Sequence, residues 1–484
     1  MNEVKANDNL TIFLNNLIDS NKYKDIKYGI KLCNKNIGVN EKFYTFSYFL
    51  AFLLKRKIIN NLVEWKENHK NNCLLIIGAR QVGKTYIIQK FAEEYYEKSI
   101  YINFIENPDY KDIFSGNLDI ETIIKQLTLR VPNSSIIPGK TLLILDEIQV
   151  CENAITALKF IAQENKIDCI ASGSLLGITY KRVSSFPVGY IERLEMNSLD
   201  FEEFCWANGM DETAISYLKE FFINKKQVPD SIHNRMLELF KEYIVIGGMP
   251  RVVDEFVTNH DFSSSLKLQR NIVQDYKDDI VKYALEIDKA KIRDCFNSIP
   301  KHLSQENKKF KYSLVDKNGT AKKYLGALEW LYDAGIINFC YNLSKLESPL
   351  EGFAKEDVFK VYMKDTGLLV SMLEDGTQLE IMNGNLGIYK GAIYENIIAD
   401  IFGKLGKKLY YFEYNSTLEV DFIIKYNNKI TAVEVKSADN TKSKSLNSLI
   451  ENWNLEQGIK LSSKNIGTGK ENILNIPLYM SMFL

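Results

Sequence analysis

The chain has 484 residues, 45% hydrophobic and 25% charged, with a formal net charge of −1. That length carries several domains with proper cores, and the charge balance excludes a wholesale polycation, so any nucleic-acid surface must be a local patch. Seven scattered cysteines without a CxxC pair and only four histidines argue against a disulfide framework or a zinc site. No stretch reaches the ~18 apolar residues of a membrane span and the N-terminus lacks a signal core, so a cytoplasmic chain with no membrane partner is expected.

Residues 1–50 are rich in Asn and Lys, and Leu10, Phe13, Leu14 and Leu17 recur at helical spacing, which predicts a helical extension without chemistry. Lys55-Arg56-Lys57, before a helix over Ile58–Trp65, reads either as a phosphate contact or as a solvated helix end. The apolar run Cys73–Ile77 predicts a strand buried on both faces. It leads into Gly78-Ala79-Arg80-Gln81-Val82-Gly83-Lys84-Thr85 and a helix with Ile87, Ile88 and Phe91 on one side. Strand, GxxxxGK[ST], helix is the phosphate-binding loop of an ATP site. Backbone N–H groups curl round the phosphates, Lys84 reaches the β/γ oxygens, and the Thr85 hydroxyl binds Mg²⁺.

Ser99–Phe104 predicts the next strand, and Leu142-Leu143-Ile144-Leu145-Asp146-Glu147 a further buried strand ending in two carboxylates. In that Walker B pattern Asp146 holds the Mg²⁺ shell and Glu147 orients or deprotonates the attacking water, with Gln149 a helper in placing substrate or water. A helix over Ala154–Gln163 precedes the strand Ile167–Ser174, where Ser172 or Ser174 is either a γ-phosphate sensor or a strand-to-loop cap. Alternating strands and helices around such a loop imply a parallel, doubly wound sheet with ATP at the carboxyl ends.

Further on, Leu325, Leu328, Leu331 and Tyr332 form the apolar face of a helix over Tyr324–Ala334, ending at Gly335 before a strand from Ile336 to Phe339. Helix followed by wing is a DNA-binding shape. Lys308, Lys309 and Lys311 surround Phe310, with Lys322 and Lys323 nearby, and read either as a DNA contact or as a solvated face. Near the end, Glu419–Tyr426 and Lys429–Lys436 predict a hairpin about Asn427-Asn428, since asparagine tolerates positive φ. Tyr426 then faces Lys429, Asp421 lies opposite Glu434, and Lys436 projects from the face of Glu434. Facing carboxylates disfavour one another unless a cation binds them. A slip of one residue would turn Asp421 to the other face.

The loop Gly78–Thr85, Asp146-Glu147-Ile148-Gln149, Ser172-Gly173-Ser174-Leu175-Leu176-Gly177, Phe201-Glu202-Glu203-Phe204, Gly247-Gly248-Met249-Pro250, Ser298-Ile299-Pro300 with Glu306–Phe310, and Phe359-Lys360-Val361-Tyr362 with Asp365-Thr366-Gly367-Leu368-Leu369 occur in that order. Together they resemble a prokaryotic AAA-type family with an uncharacterised C-terminal domain, over residues from about 50 to the end. The resemblance implies ATP binding, a winged-helix-like middle and a nuclease-like C-terminal fold. Asp421, Glu434 and Lys436 also resemble the PD-(D/E)xK nuclease pattern. By that analogy Asp421 and Glu434 hold Mg²⁺ and Lys436 positions or activates the water. Glu395, in the helical run Gly391–Phe402, matches the helix carboxylate of archaeal Holliday-junction resolvases. Where similar proteins often carry a basic residue after Phe186-Pro187-Val188-Gly189, this chain has Tyr190, leaving Lys181, Arg182 or Arg193 as candidates for a charge-stabilising finger.

The expected fold class is α/β, in five parts. These are a helical extension (1–50), a P-loop ASCE/AAA-type parallel-sheet ATPase core (51–205), a helical lid (206–284), a winged-helix-like domain (285–380) and a restriction-endonuclease-like α/β domain (385–484). Two functions compete: an ATP- and Mg²⁺-dependent switch coupled to a nuclease acting on DNA or RNA, or a signalling ATPase whose C-terminal domain is an idle recognition module. A homo-oligomer fits either. A transport-associated or metabolic P-loop enzyme would leave the hairpin carboxylates unexplained.

Overall fold

The computed structural model describes residues 2–4, 29–33, 38–40, 43–47, 54–68, 71–173, 187, 189–385, 389–415, 417–436, 443–468 and 472–484. Where residues 1–50 are described they are strands rather than the expected helices: β1 (Asn2–Val4), β2 (Gly29–Cys33), β3 (Gly38–Asn40) and β4 (Phe43–Ser47) form one sheet in the order β1-β2-β4-β3. Leu10, Phe13, Leu14 and Leu17 lie outside the described residues.

The expected ATPase core, 51–205, contains a parallel five-stranded sheet of β5 (Cys73–Ile77), β6 (Lys98–Asn103), β7 (Thr141–Asp146), β8 (Asp168–Gly173) and β9 (Ile191–Glu195), ordered β6-β7-β8-β5-β9. Its central strands are apolar on both faces because both are covered. Leu74, Ile76, Leu142 and Ile144 pack with the helices Ile58–Asn68 and Lys84–Tyr95, while Leu75, Leu143 and Leu145 pack with Ile120–Arg130 and Glu152–Glu164. Each such buried aliphatic side chain contributes ~1.5–3 kcal/mol. Strand β8 lies between β5 and β7, so Ser172 arrives beside the end of the Walker B strand.

Helices from Glu212–Asn224 to Glu286–Leu303 connect this core to a second sheet. It contains β10 (Ile337–Leu343), β11 (Ala354–Met363), β12 (Leu409–Tyr414), β13 (Leu418–Tyr426), β14 (Lys429–Val435), β15 (Gln457–Ser462), β16 (Gly467–Thr468) and β17 (Ile473–Pro477), in the order β11-β10-β12-β13-β14-β15-β17-β16. The strand pair that the sequence assigns to a separate wing is therefore continuous with the C-terminal domain, through parallel β10–β12 pairing. A boundary near 380–385 divides one sheet rather than two bodies. Helix Tyr389–Lys404 packs on one face, with Phe422 and Val433, and Lys444–Trp453 on the other, with Val420, Ile423 and Ala432.

The ATPase core and this second body meet at Asp365. Its carboxylate accepts from the Gly248 N–H (2.8 Å) and the Ser198 hydroxyl (2.9 Å), and caps the helix Thr366–Ser371 through the Leu368 N–H. A Cβ on Gly248 would stand 2.0 Å from the Leu199 carbonyl oxygen, so only glycine fits. Two motifs distant in sequence, Gly247-Gly248 and Asp365-Thr366-Gly367, are thus two sides of one joint. Among the described residues no helix is long and apolar enough to cross a membrane.

Candidate functional site: a phosphate loop and a lysine-held carboxylate cluster

The loop Gly78–Gly83 joins β5 to the Lys84–Tyr95 helix. Gly83 takes φ +93°, a left-handed turn open to glycine, and so starts the helix at Lys84. The Lys84 ammonium curls back to donate to the Gly78 (3.0 Å) and Ala79 (2.8 Å) carbonyls. Burial lowers its pKa to about 8, although the Glu147 and Asp146 carboxylates pull the other way. Both carbonyls are neutral acceptors, which the oxygens of a phosphate can replace.

Asp146, at the tip of β7, is the hub. It accepts from the Thr85 hydroxyl (2.8 Å), the Tyr101 phenol (2.9 Å), the Glu147 N–H (3.0 Å) and the Ser172 hydroxyl. Ser172 is fully buried, and Ser174, the other sensor candidate, lies outside the described residues. A hydroxyl and a carboxylate thus converge at 2.8 Å beside the phosphate loop, both oxygen donors of the kind hard divalent cations take. Glu147 takes φ +54°, uncommon without glycine, and the buried Gln149 amide donates to its carboxylate. Gln149 therefore holds Glu147 through its amide nitrogen, while its amide oxygen is buried without a hydrogen-bond partner.

Sequence reasoning missed two supports of this site. Tyr101 sits mid-strand with no motif to mark it. Arg56, read as a phosphate contact or a solvated helix end, is neither: it is buried, paired with Glu203 (3.1 Å), and donates to the Val82 carbonyl inside the loop (3.0 Å) and to that of Asn197 (2.6 Å). Only the tertiary fold brings Glu203 to it. Of the finger candidates, Arg193 lies in the edge strand β9, and Lys181 and Arg182 are outside the described residues. Tyr190 accepts from Gln163 (2.8 Å).

The loop's outer side is in contact with the helix Phe262–Tyr283. Arg80 pairs with Asp279, the Gln81 amide donates to Asp275 (2.5 Å), and the Tyr276 hydroxyl donates to the Arg80 carbonyl (3.2 Å). Burial raises Asp279 to about 6 despite Arg80, and Glu147 and Asp275 push it the same way.

In the second sheet the Asn427-Asn428 turn forms with φ of 50° and 61°, and Tyr426 faces Lys429, a register that runs back to Phe422 opposite Val433. The expected facing of Asp421 and Glu434 as one metal pair does not follow. Tyr410 pairs with Ile423 and Phe412 with Val420, so two residues of β13, Asp421 and Phe422, oppose Tyr411 alone. This bulge breaks the alternation on which the face assignment depended. Asp421 has Glu395, Lys360 and Lys308 as charged neighbours, and its carboxylate accepts the Val435 N–H (2.7 Å). Glu434 pairs with Lys436 (2.5 Å) and lies beside Lys460 across the β14–β15 pairing. The expected ligand set of Glu395, Asp421 and Glu434 is therefore divided, and among the described residues no group of three or more His, Cys, Asp or Glu is placed to hold a metal ion.

Lysines already pair with Glu395 and with two further acids of this sheet, Glu413 and Glu419. Lys308 pairs with Glu395 (2.6 Å), Lys309 with Glu413, and Lys360 with Glu419 (2.5 Å) and Glu395 (3.8 Å). Phe310 is buried, stacked on His302 at 4.1 Å. Lys308-Lys309-Phe310 is thus an internal strut, whereas Lys311, Lys322 and Lys323 are exposed as the solvated-face alternative expects, with Lys323 paired to Asp316. Tyr332, assigned to the apolar face of its helix, is 45% exposed.

The comparisons with known proteins agree with the first site. A family described as "AAA domain" matches residues 70–205, the span that carries the loop, Asp146 and Ser172. This part of the chain is an AAA-type P-loop ATPase domain. Residues 237–379 match "Domain of unknown function (DUF8612)" and residues 390–479 match "Domain of unknown function (DUF4143)". No curated protein matches the chain. Solved structures similar to it include a Walker-type ATPase of Pyrococcus abyssi (14% identity, 66% of this chain and 96% of that one, TM-score 0.40). Others are AMPPCP-bound DnaA from Aquifex aeolicus (17%, 57% and 86%, 0.24) and the Aeropyrum pernix ORC1 protein in complex with DNA (12%, 68% and 92%, 0.27).

Proposed function

We propose that this protein is a Mg²⁺-dependent ATPase that works as a switch, with nucleotide on the loop sensed by the body that carries the second sheet. The observation that carries this is the convergence of Thr85, Ser172 and Tyr101 on Asp146, with Lys84 held only by loop carbonyls. On this reading Lys84 exchanges those carbonyls for β/γ oxygens, and Thr85 and Asp146 would hold Mg²⁺, which neutralises phosphate charge when bound. Glu147, fixed by Gln149, orients or deprotonates the water. Asp275, Tyr276 and Asp279, on a helix that connects the core to the second sheet, touch the loop directly. Asp365 anchors the core to the second body, so occupancy of the loop has one direct contact and one anchor through which to be felt. Phosphate release should be abolished by Lys84→Ala and by Glu147→Gln; turnover unchanged in either variant would sink the ATPase reading.

For the C-terminal domain, the pairing of Glu395, Glu413 and Glu419 with lysines favours a recognition module over a nuclease centred on Glu434 and Lys436. Incubation with single- and double-stranded DNA and RNA in Mg²⁺ or Mn²⁺ should yield no cleavage; cleavage lost in Glu434→Ala would restore the nuclease.

A further inference from the structure

We infer that the ammonium group of Lys360 is a resident cation, supplying to Glu395, Glu419 and Asp421 the positive charge that a divalent ion would otherwise bring. The inference rests on the recognition-module reading and explains how that module keeps its acids together.

Lys360 belongs to β11, yet its tip reaches across the sheet. It meets Glu419 of β13 at 2.5 Å and Glu395 of the Tyr389–Lys404 helix at 3.8 Å, and lies 4.8 Å from the centre of the Tyr411 ring of β12. The side chain is completely buried. A lysine buried without acidic partners is strongly destabilising, so the carboxylates hold it as firmly as it holds them. Lys308 brings a second ammonium to Glu395 (2.6 Å), and the Tyr362 hydroxyl donates to the other Glu395 oxygen (3.2 Å). Two ammonium groups thus face three acids. The third, Asp421, accepts from the Val435 N–H (2.7 Å) and has both ammonium groups, Lys360 and Lys308, among its charged neighbours.

A divalent ion entering here would stand within contact distance of a fixed ammonium and would have to expel a side chain with no exposed surface. Like charges that close repel more strongly in a low-dielectric interior than in water. Glu434, which a two-metal or PD-(D/E)xK arrangement would need, pairs through one oxygen with Lys436 and has no ion pair with Lys360 or Lys308. The acidic pattern legible in the sequence is therefore real, but the cation that completes it is covalently part of the chain.

The test uses the full chain carrying Asp146→Asn, which disables the ATP site, without nucleotide, titrated with Mn²⁺ and read by electron paramagnetic resonance. The parent should bind no stoichiometric Mn²⁺ up to about 1 mM, the weak end for oxygen-ligand sites. Lys360→Met should create one site, at least about tenfold tighter, that disappears on adding Glu395→Gln. A parent site removed by Glu395→Gln or Asp421→Asn would overturn the inference, as would a folded Lys360→Met variant without a new site. Should Lys360→Met fail to fold, the parent and its Glu395→Gln variant decide the matter alone: equal Mn²⁺ binding supports the inference and a loss on substitution overturns it. Nucleic-acid cleavage without Mn²⁺ binding to this cluster would remove the recognition-module reading and leave Lys360 as assigned.

Discussion

Both the phosphate loop and the C-terminal cluster bring lysines and carboxylates together, but they hold them differently. Asp146 is surrounded by hydroxyls and one N–H, all neutral donors, and Lys84 by two neutral carbonyls. Neutral partners are readily exchanged, so this acid is available to a metal and this ammonium to a phosphate. Glu395 and Glu419 are held by ammonium groups, one of them with no exposed surface. What surrounds a carboxylate, more than its place in a motif, decides whether it can take a cation.

The largest effect that could break this contrast is at the loop. Lys84→Ala should lower the rate of phosphate release by on the order of 10³-fold, since a charge-stabilising donor of this kind is worth 10²–10³ or more. The same substitution should leave the C-terminal cluster untouched, with unchanged Mn²⁺ titration in the Asp146→Asn chain.

Next in size is the joint between the two regions. Gly247→Ala would drive a methyl to 2.2 Å from an Asp365 carboxylate oxygen. Urea denaturation should show a loss of about 2–3 kcal/mol, the range for forced overpacking. An unchanged midpoint would mean that the joint is loose and the two regions are not coupled through it.

A smaller effect separates the regions by pH. Asp421 is raised to about 7, first by burial and then by Glu395, against Lys360 and Lys308. A raised carboxylate pKa means that between about pH 4 and about pH 7 the folded chain keeps a proton that the unfolded chain has released. Stability contributed by this group is therefore full at the acidic end and lost as pH rises through that window, by at most about 1.4 kcal/mol per unit. Asp421→Asn should flatten that part of the stability–pH curve; an unaltered slope would place the proton elsewhere. Asp400, raised to about 7 by burial and Asp365 against Lys404, adds a slope of the same sign that the substitution leaves in place.

The smallest effect sharpens the account of the loop's outer contact. Asp279→Ala frees Arg80 from a partly exposed ion pair, a loss of less than about 1 kcal/mol. Removing a carboxylate from beside the phosphates should tighten binding of a fluorescent ATP analogue severalfold at low salt, with the gain fading as salt rises. Weaker binding instead would make Asp279 part of the nucleotide site.

Much of the first region was legible because its chemistry is local. Cys73–Ile77, the loop and the start of its helix at Lys84 follow from one contiguous run, and the Walker B strand ends at Asp146 as its apolar pattern requires. The Asn427-Asn428 turn was equally local, and so was its register. Local spacing by itself thus determined the phosphate loop, the strand tips and the hairpin. Only the tertiary structure decided which partners those residues meet. The bulge at Asp421 exists because β12 is one residue shorter there than β13 opposite it, Lys360 becomes a cation for Glu395 because the wing joins the C-terminal sheet, and Arg56 enters the loop because Glu203 folds onto it. Periodicity tells which way a side chain points within its own element, whereas burial and charge pairing depend on elements far apart in the chain, 59 residues for Lys360 and Glu419 and 147 for Arg56 and Glu203, which no local pattern encodes.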